Sequence, residues 1–405
     1  MPRQAKARGA ALLLGLVLAL GAALPAHAGR PRYADPNALG RYAVGHTLFQ
    51  AVDPARDGRT LRTELWYPVD PADAGGVHTR YDFQYLGLGL DSTVAWEDAP
   101  PSHDVAFPLV VFSHGSGGVS WQSTFLTEAL ASHGFVVVAP NHTGNTANDA
   151  LAGTSDPFPV VARNRPLDVS FLIDLLLARD FDPGDVLYLK INPFLIGVAG
   201  HSFGGFTALA MASGYQDAAA GTDVPPDPRV RAVAAVAPAS SLLSDAELES
   251  IHVPVFLLSG TLDTTTPIEP ETTRPWTLVP GRPLYRADVV GATHTHFAAV
   301  CAIAQVLATF GVPEPEIVML VPGYEETCKP PAFPIEEAQR IQSFYLTAFF
   351  ARHLYCDRRY DGFLTPEWAA DHEPDVLFQR RDAAPATVLV LRPGPGARPG
   401  RVVLP

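Results

Sequence analysis

Short, continuous apolar runs punctuate the middle of this chain: FPLVVFSHG, GFVVVAP, FLIGVAGHS, RVRAVAAVAP, VPVFLLSG and LYRADVV. Each is rich in β-branched residues and bounded by glycine, proline or polar residues, the pattern of strands buried on both faces. Between them the apolar positions recur at helical spacing, near 121–132, around 167–178 and from Phe203 onward. Buried strands alternating with helices predict an α/β fold, a mostly parallel central sheet with helices on both faces. In such sheets function gathers at the carboxyl ends of the strands.

Upstream, RYAVGHTLFQAVD and RTLRTELWYPV alternate apolar and polar residues and predict an antiparallel sheet edge, the second run ending near Pro68. Residues 79–106 read as loop, with Tyr81, Phe83, Tyr85 and Trp96 and a Pro100–Pro101 break, either a plain insertion or a flap over a pocket. A last helix is expected over 335–354, with Ile341, Phe344, Tyr345 and Ala348 on its core face. Residues 383–405, rich in Pro, Gly, Ala and Arg, read as a flexible tail. No internal repeat is evident.

Composition narrows the class. With 405 residues, 47% hydrophobic and 18% charged, the chain can fill one large core or two ordinary ones. Residues 1–28 have the form of an export signal: Arg3, Lys6 and Arg8, then the apolar AALLLGLVLALGAAL, then AHA before Gly29. That apolar centre is shorter than the roughly 20 residues a membrane span needs, so the expectation is a secreted or periplasmic protein of residues 29–382 plus tail, with no integral span. Loss of those three basic residues takes the net charge from −13 to −16, and no basic cluster remains to bind nucleic acid. An oxidising compartment favours a bridge among Cys301, Cys328 and Cys356. Cys301 with Cys328 is preferred, leaving Cys356 as an odd thiol near a helix end, and Cys328 with Cys356 is the other pairing.

Candidate chemistry begins at GHSFGG, where a buried run gives way at once to FTALAMA. The pentapeptide around Ser202 carries little alone. Its place at a strand-to-helix junction is that of an elbow that projects a serine hydroxyl over the sheet, with Gly200, Gly204 and Gly205 relieving the crowding. The plain alternative is a serine that caps the next helix. A nucleophilic serine needs an imidazole to take its proton and a carboxylate to hold that imidazole. Asp263, just after VPVFLLSG, is the candidate acid, or else an Asx-turn residue. His294 in GATHTHF is the candidate base, with His296 as the alternative base or a packing residue. A zinc site on His-x-His lacks an evident third ligand. For the negative oxygen of a tetrahedral intermediate, the N–H groups of Phe203 and of Ser116 in SHGSGG are the candidate donors, with His114 stabilising that turn.

With HGSGG, GHSFGG, Asp263 and His294 in this order, the chain resembles the α/β-hydrolase superfamily. LWYPV, FPLVVFSHGSGG, HGFVVVAPNHTGN and NRPLDVSFLIDLL further resemble exported bacterial dienelactone-hydrolase-like proteins, platelet-activating-factor acetylhydrolases and cutinase-like polyesterases, over about residues 40 to 355. Ser202 stands where dienelactone hydrolases carry cysteine. Asp263 matches the cutinase-like position of the acid, while SHGSGG and ATHTHF are close to the acetylhydrolase turn and histidine segments. The resemblance implies a serine esterase acting through an acyl-enzyme on a small-molecule or lipid ester, without cofactor or metal. A lipid acetylhydrolase or polyester hydrolase is the variant reading, and a catalytically silent binding protein is the reading of another class.

Overall fold

The computed structural model describes residues 35–84 and 87–382; the expected leader at 1–28, Tyr85 and the tail at 383–405 lie outside the described residues. The chain opens with a long antiparallel pair, β1 (Ala43–Asp53) and β2 (Arg59–Val69). Then come β3 (His78–Asp82), β4 (Gly89–Glu97), β5 (Phe107–Ser113), α1 (Thr124–Ser132), β6 (Val136–Pro140), α2 (Ala147–Ala152), α3 (Phe158–Arg179), β7 (Ile191–His201) and α4 (Phe203–Ser213). A small hairpin of β8 (Tyr215–Asp217) and β9 (Thr222–Val224) precedes β10 (Val230–Val236), α5 (Asp245–Glu249), β11 (Val255–Gly260), α6 (Ile268–Glu271), α7 (Thr273–Leu278) and β12 (Leu284–Val289). The C-terminal part holds α8 (Val300–Thr309), α9 (Glu314–Leu320), α10 (Tyr324–Cys328), α11 (Ile335–His353), α12 (Pro366–His372) and β13 (Val376–Arg381).

One 11-stranded sheet runs β13-β12-β11-β10-β7-β5-β6-β2-β1-β4-β3. From β12 to β6 all pairings are parallel, and these are the six apolar runs of the sequence. Alternation along each strand feeds two cores. In β5, Val110 and Phe112 face a cluster built on α1 and α11, whereas Leu109 and Val111 face one built on α3 and α4. Ile341, Phe344, Tyr345 and Ala348 of α11 are buried in the first of these, as their helical spacing predicts.

Two segments differ from expectation. Residues 79–82 and 89–97 are strand rather than loop: β3 and β4 form an antiparallel pair at the sheet edge, joined to β1 through β4. Only alternate residues of β3 are buried, so charged residues hide the strand pattern. Of the aromatics in this stretch, Tyr81, Phe83 and Trp96 pack against the two cores. Tyr81 is buried and accepts a hydrogen bond from Trp66 Nε1 (2.7 Å), and Trp96 stacks on His78 at 3.9 Å. At the other end, β13 returns antiparallel to β12 and closes the far edge.

Candidate active site

Because β5, β7, β11 and β12 run parallel, their C-terminal ends share one rim, and each delivers a loop there. β7 ends at His201, and Ser202 turns with φ 59° and ψ −118°, a left-handed backbone that a non-glycine residue adopts only under constraint. The flanking glycines are what permit it. A Cβ on Gly200 would lie 2.1 Å from the carbonyl oxygen of Gly204, and one on Gly204 would lie 1.9 Å from that of Ser113. Although Ser202 occupies the N-cap of α4, its side chain makes no capping bond. Its Oγ lies 2.8 Å from Nε2 of His294.

His294 starts a one-turn helix, His294–Phe297, after β12. Its Nδ1 lies 2.8 Å from Oδ2 of Asp263, which follows β11. The two carboxylate oxygens of Asp263 have separate partners. Oδ1 accepts the N–H groups of Thr265 and Thr266, both at 2.8 Å, while Oδ2 faces His294 and accepts the Thr266 hydroxyl at 2.9 Å. Burial alone would raise this carboxyl, but the bonds from His294 and Thr266 outweigh it and hold it below the usual carboxylate range. Asp263 and His294 are buried, whereas Ser202 is half-buried.

The turn after β5 lies against the elbow: a Cβ on Gly115 would sit 3.4 Å from that of Ser202. Within this turn, Gly115 donates its N–H to Gln122 Oε1 (3.0 Å), Gly117 to Asn145 O (3.2 Å) and Gly118 to Gly115 O (3.1 Å). The N–H groups of Ser116 and Phe203 have no protein acceptor among the described residues. His114 is buried with Nδ1 on Gly115 O (2.6 Å) and Nε2 accepting the His142 N–H (3.0 Å), a turn-holding place; burial and the neighbouring Arg165 push its pKa well down.

Two polar side chains that carry no sequence signal of their own connect these loops. His201 Nε2 donates to the carbonyl of His294 (3.0 Å), and its Nδ1 accepts from Gln122 Nε2 (3.1 Å). Burial, with the adjacent His294 ring, pushes His201 down to about 3, so it is neutral and keeps one tautomer. Thus Gln122 and His201 link the turn, the elbow and the histidine segment.

His296 points elsewhere. It accepts from the Thr293 N–H (2.9 Å) and donates to Phe333 O (2.9 Å), so the His-x-His pair does not converge as a chelate. Cys301 and Cys328 are joined, with Cα atoms 5.5 Å apart, tying α8 to α10, and Cys356 is free and exposed. Among the described residues, the His/Asp/Glu group close enough to hold a metal ion is Asp70, Asp73 and His103, at a partly exposed turn. No described helix is long and apolar enough to cross a membrane.

The strand order, the elbow and the loops gathered at one rim define the class by its architecture: the chain has the α/β-hydrolase fold. Residues 108–268 match the family model of the alpha/beta hydrolase fold. Over 230 residues the chain is 29% identical to the platelet-activating factor acetylhydrolase of Canis lupus familiaris and 27% identical to that of Bos taurus, covering in each case 43% of this chain and 51% of the relative. The chain thus spans about half the length of the curated relatives it matches. A solved structure described as a ferulic acid esterase from Streptomyces cinnamoneus superposes with a TM-score of 0.62 at 27% identity, over 84% of this chain and 96% of that one.

Proposed function

We propose that the protein is an exported serine hydrolase of carboxylic esters, with Ser202 as nucleophile, His294 as general base and Asp263 as its orienting acid. The observation that carries this reading is the unbroken chain of contacts from Ser202 Oγ to His294 Nε2 and from His294 Nδ1 to Asp263 Oδ2, each 2.8 Å. Asp263 fixes the tautomer in which Nε2 is free to accept a proton. Ser202 attacks the ester carbonyl while its proton passes to His294. The tetrahedral oxyanion is received by the N–H groups of Phe203 and Ser116. His294 returns the proton to the departing alcohol, then activates a water that releases the acid from the acyl-enzyme.

The relatives' names point to two ester classes, lipid acetyl esters and phenolic-acid esters. Phe158 favours room for an apolar or aromatic acyl group: it is half-exposed at the start of α3 and stacks at 5.5 Å on Phe203, the residue next to the nucleophile. Export rests on the form of residues 1–28 and on the Cys301–Cys328 bridge. The test is hydrolysis of p-nitrophenyl esters of rising chain length, a feruloyl ester and a polyester film by wild type and Ser202→Ala. Turnover that survives Ser202→Ala defeats the reading; a loss on the order of a millionfold is expected.

A further inference from the structure

Arg165 is fully buried in α3, yet among the described residues no carboxylate pairs with it directly. All its acceptors belong to, or hold, the turn after β5. Nη1 donates to the carbonyl of His114 (2.6 Å) and to Ser113 Oγ (3.2 Å), and Nη2 to the carbonyl of Gly115 (3.0 Å). Nε and Nη2 donate to Asn145 Oδ1 (3.0 and 2.6 Å), while Asn145 Nδ2 donates to Ser116 Oγ (3.1 Å). In a trans peptide the carbonyl and the following N–H point in opposite directions. The Gly115 carbonyl is held by Arg165, His114 Nδ1 and Gly118 N, so the N–H of Ser116 is turned away from Arg165.

Behind Arg165 lies a second buried Ser-His-Asp constellation. Ser113 Oγ lies 2.9 Å from His142 Nε2, and His142 Nδ1 lies 2.9 Å from Asp168 Oδ2. All three residues are inaccessible to solvent, and Asp168 is also paired with Arg56 and Arg59. Its serine therefore serves as an acceptor for Arg165. An unpaired buried guanidinium is costly, and a neutral amide could satisfy the same carbonyls at lower cost. What the guanidinium adds is fixed positive charge behind the turn, which a developing oxyanion on the other side feels strongly in a low-dielectric interior.

We infer that Arg165 is a positioning residue for ester hydrolysis: it locks the Gly115–Ser116 peptide so that the Ser116 N–H faces the oxyanion, and Asn145 holds Arg165 in register. This rests on the proposed roles of Ser202 and His294. The experiment uses the full chain with Arg165→Lys, which keeps the charge but cannot bridge both carbonyls, and Asn145→Ala. Steady-state hydrolysis of p-nitrophenyl acetate, binding of an alkyl boronic acid as transition-state mimic, and urea denaturation are measured together. The expected result is a kcat about tenfold to a thousandfold lower for Arg165→Lys, KM within about threefold, the limbs of the pH profile unmoved, and boronate affinity falling in step with kcat/KM. Asn145→Ala shows the same pattern, smaller. A folded Arg165→Lys protein with wild-type kcat, or a loss carried by KM alone, overturns the assignment. If Arg165→Lys fails to fold, Asn145→Ala decides: wild-type kcat and boronate affinity there overturn it. Activity that survives Ser202→Ala defeats the triad reading separately, whatever Arg165 does.

Discussion

Replacing Asp263 with asparagine probes the proposed triad through one proton. The amide cannot choose its orientation freely. Its NH2 group, placed at the Oδ1 position, would face two N–H donors, those of Thr265 and Thr266, each at 2.8 Å. The amide oxygen therefore stays at that position and the NH2 takes the Oδ2 position, 2.8 Å from His294 Nδ1. Nδ1 must then accept, so the imidazole proton moves to Nε2 and points at Ser202 Oγ. A base that already carries its proton cannot take another at neutral cost, and the expected loss in kcat is about 10⁴-fold, or roughly 5.5 kcal/mol in the barrier. The fold loses a charge-assisted hydrogen bond worth about 1 to 3 kcal/mol, so stability and turnover separate. The assay is kcat and KM on p-nitrophenyl acetate beside a urea unfolding curve. A folded Asp263→Asn protein within tenfold of wild-type kcat would refute the assignment of Asp263.

Gly204→Ala sets a Cβ 1.9 Å from a backbone oxygen of β5, with no side chain able to yield; a loss of about 1 to 3 kcal/mol or more is expected by urea unfolding, and a neutral result would mean the elbow packs otherwise. Cys301→Ser with Cys328→Ser opens a bridge of sequence separation 27, and should cost about 3 to 4 kcal/mol. Activity should fall in the surviving folded protein as well, because Thr327, beside the bridge, bonds Thr293 and Thr295 on either side of His294; unchanged kcat would sink that link. Acid should destabilise the fold through buried neutral histidines. His142 is pushed down to about 4 and His201 to about 3, chiefly by burial, from an ordinary 6.5. The unfolded chain binds protons that the folded one refuses, so stability is full above pH 6.5 and is lost as pH falls toward 4, on the order of 3 kcal/mol for each. Glu128 and Asp288, raised by burial, oppose this in part; urea midpoints that stay flat from pH 7 to 4 would contradict the balance.

The parallel centre of the fold was legible because strands covered on both faces must be apolar at every position, as in the fully buried β5, β6 and β11. Ser202, Asp263 and His294 could be singled out because each follows such a run by a few residues. The edges were hidden for the opposite reason. β3 and β13 bury only alternate residues and carry Arg80, Arg380 and Arg381, so composition resembles a loop. The helix expected around 167–178 begins earlier, at Phe158, and carries Pro166 within it, so that Arg165 lies inside α3. Gln122 and Thr266 act through contacts distant along the chain, and no local spacing announces them.

The most direct measurement is the site of covalent capture by a fluorophosphonate, read by peptide mass on the folded, full-length protein. The account predicts a single adduct on Ser202 that forms with loss of esterase activity and is abolished in Ser202→Ala. A folded protein that remains unlabelled while hydrolysing esters, or one labelled at another residue, would contradict it.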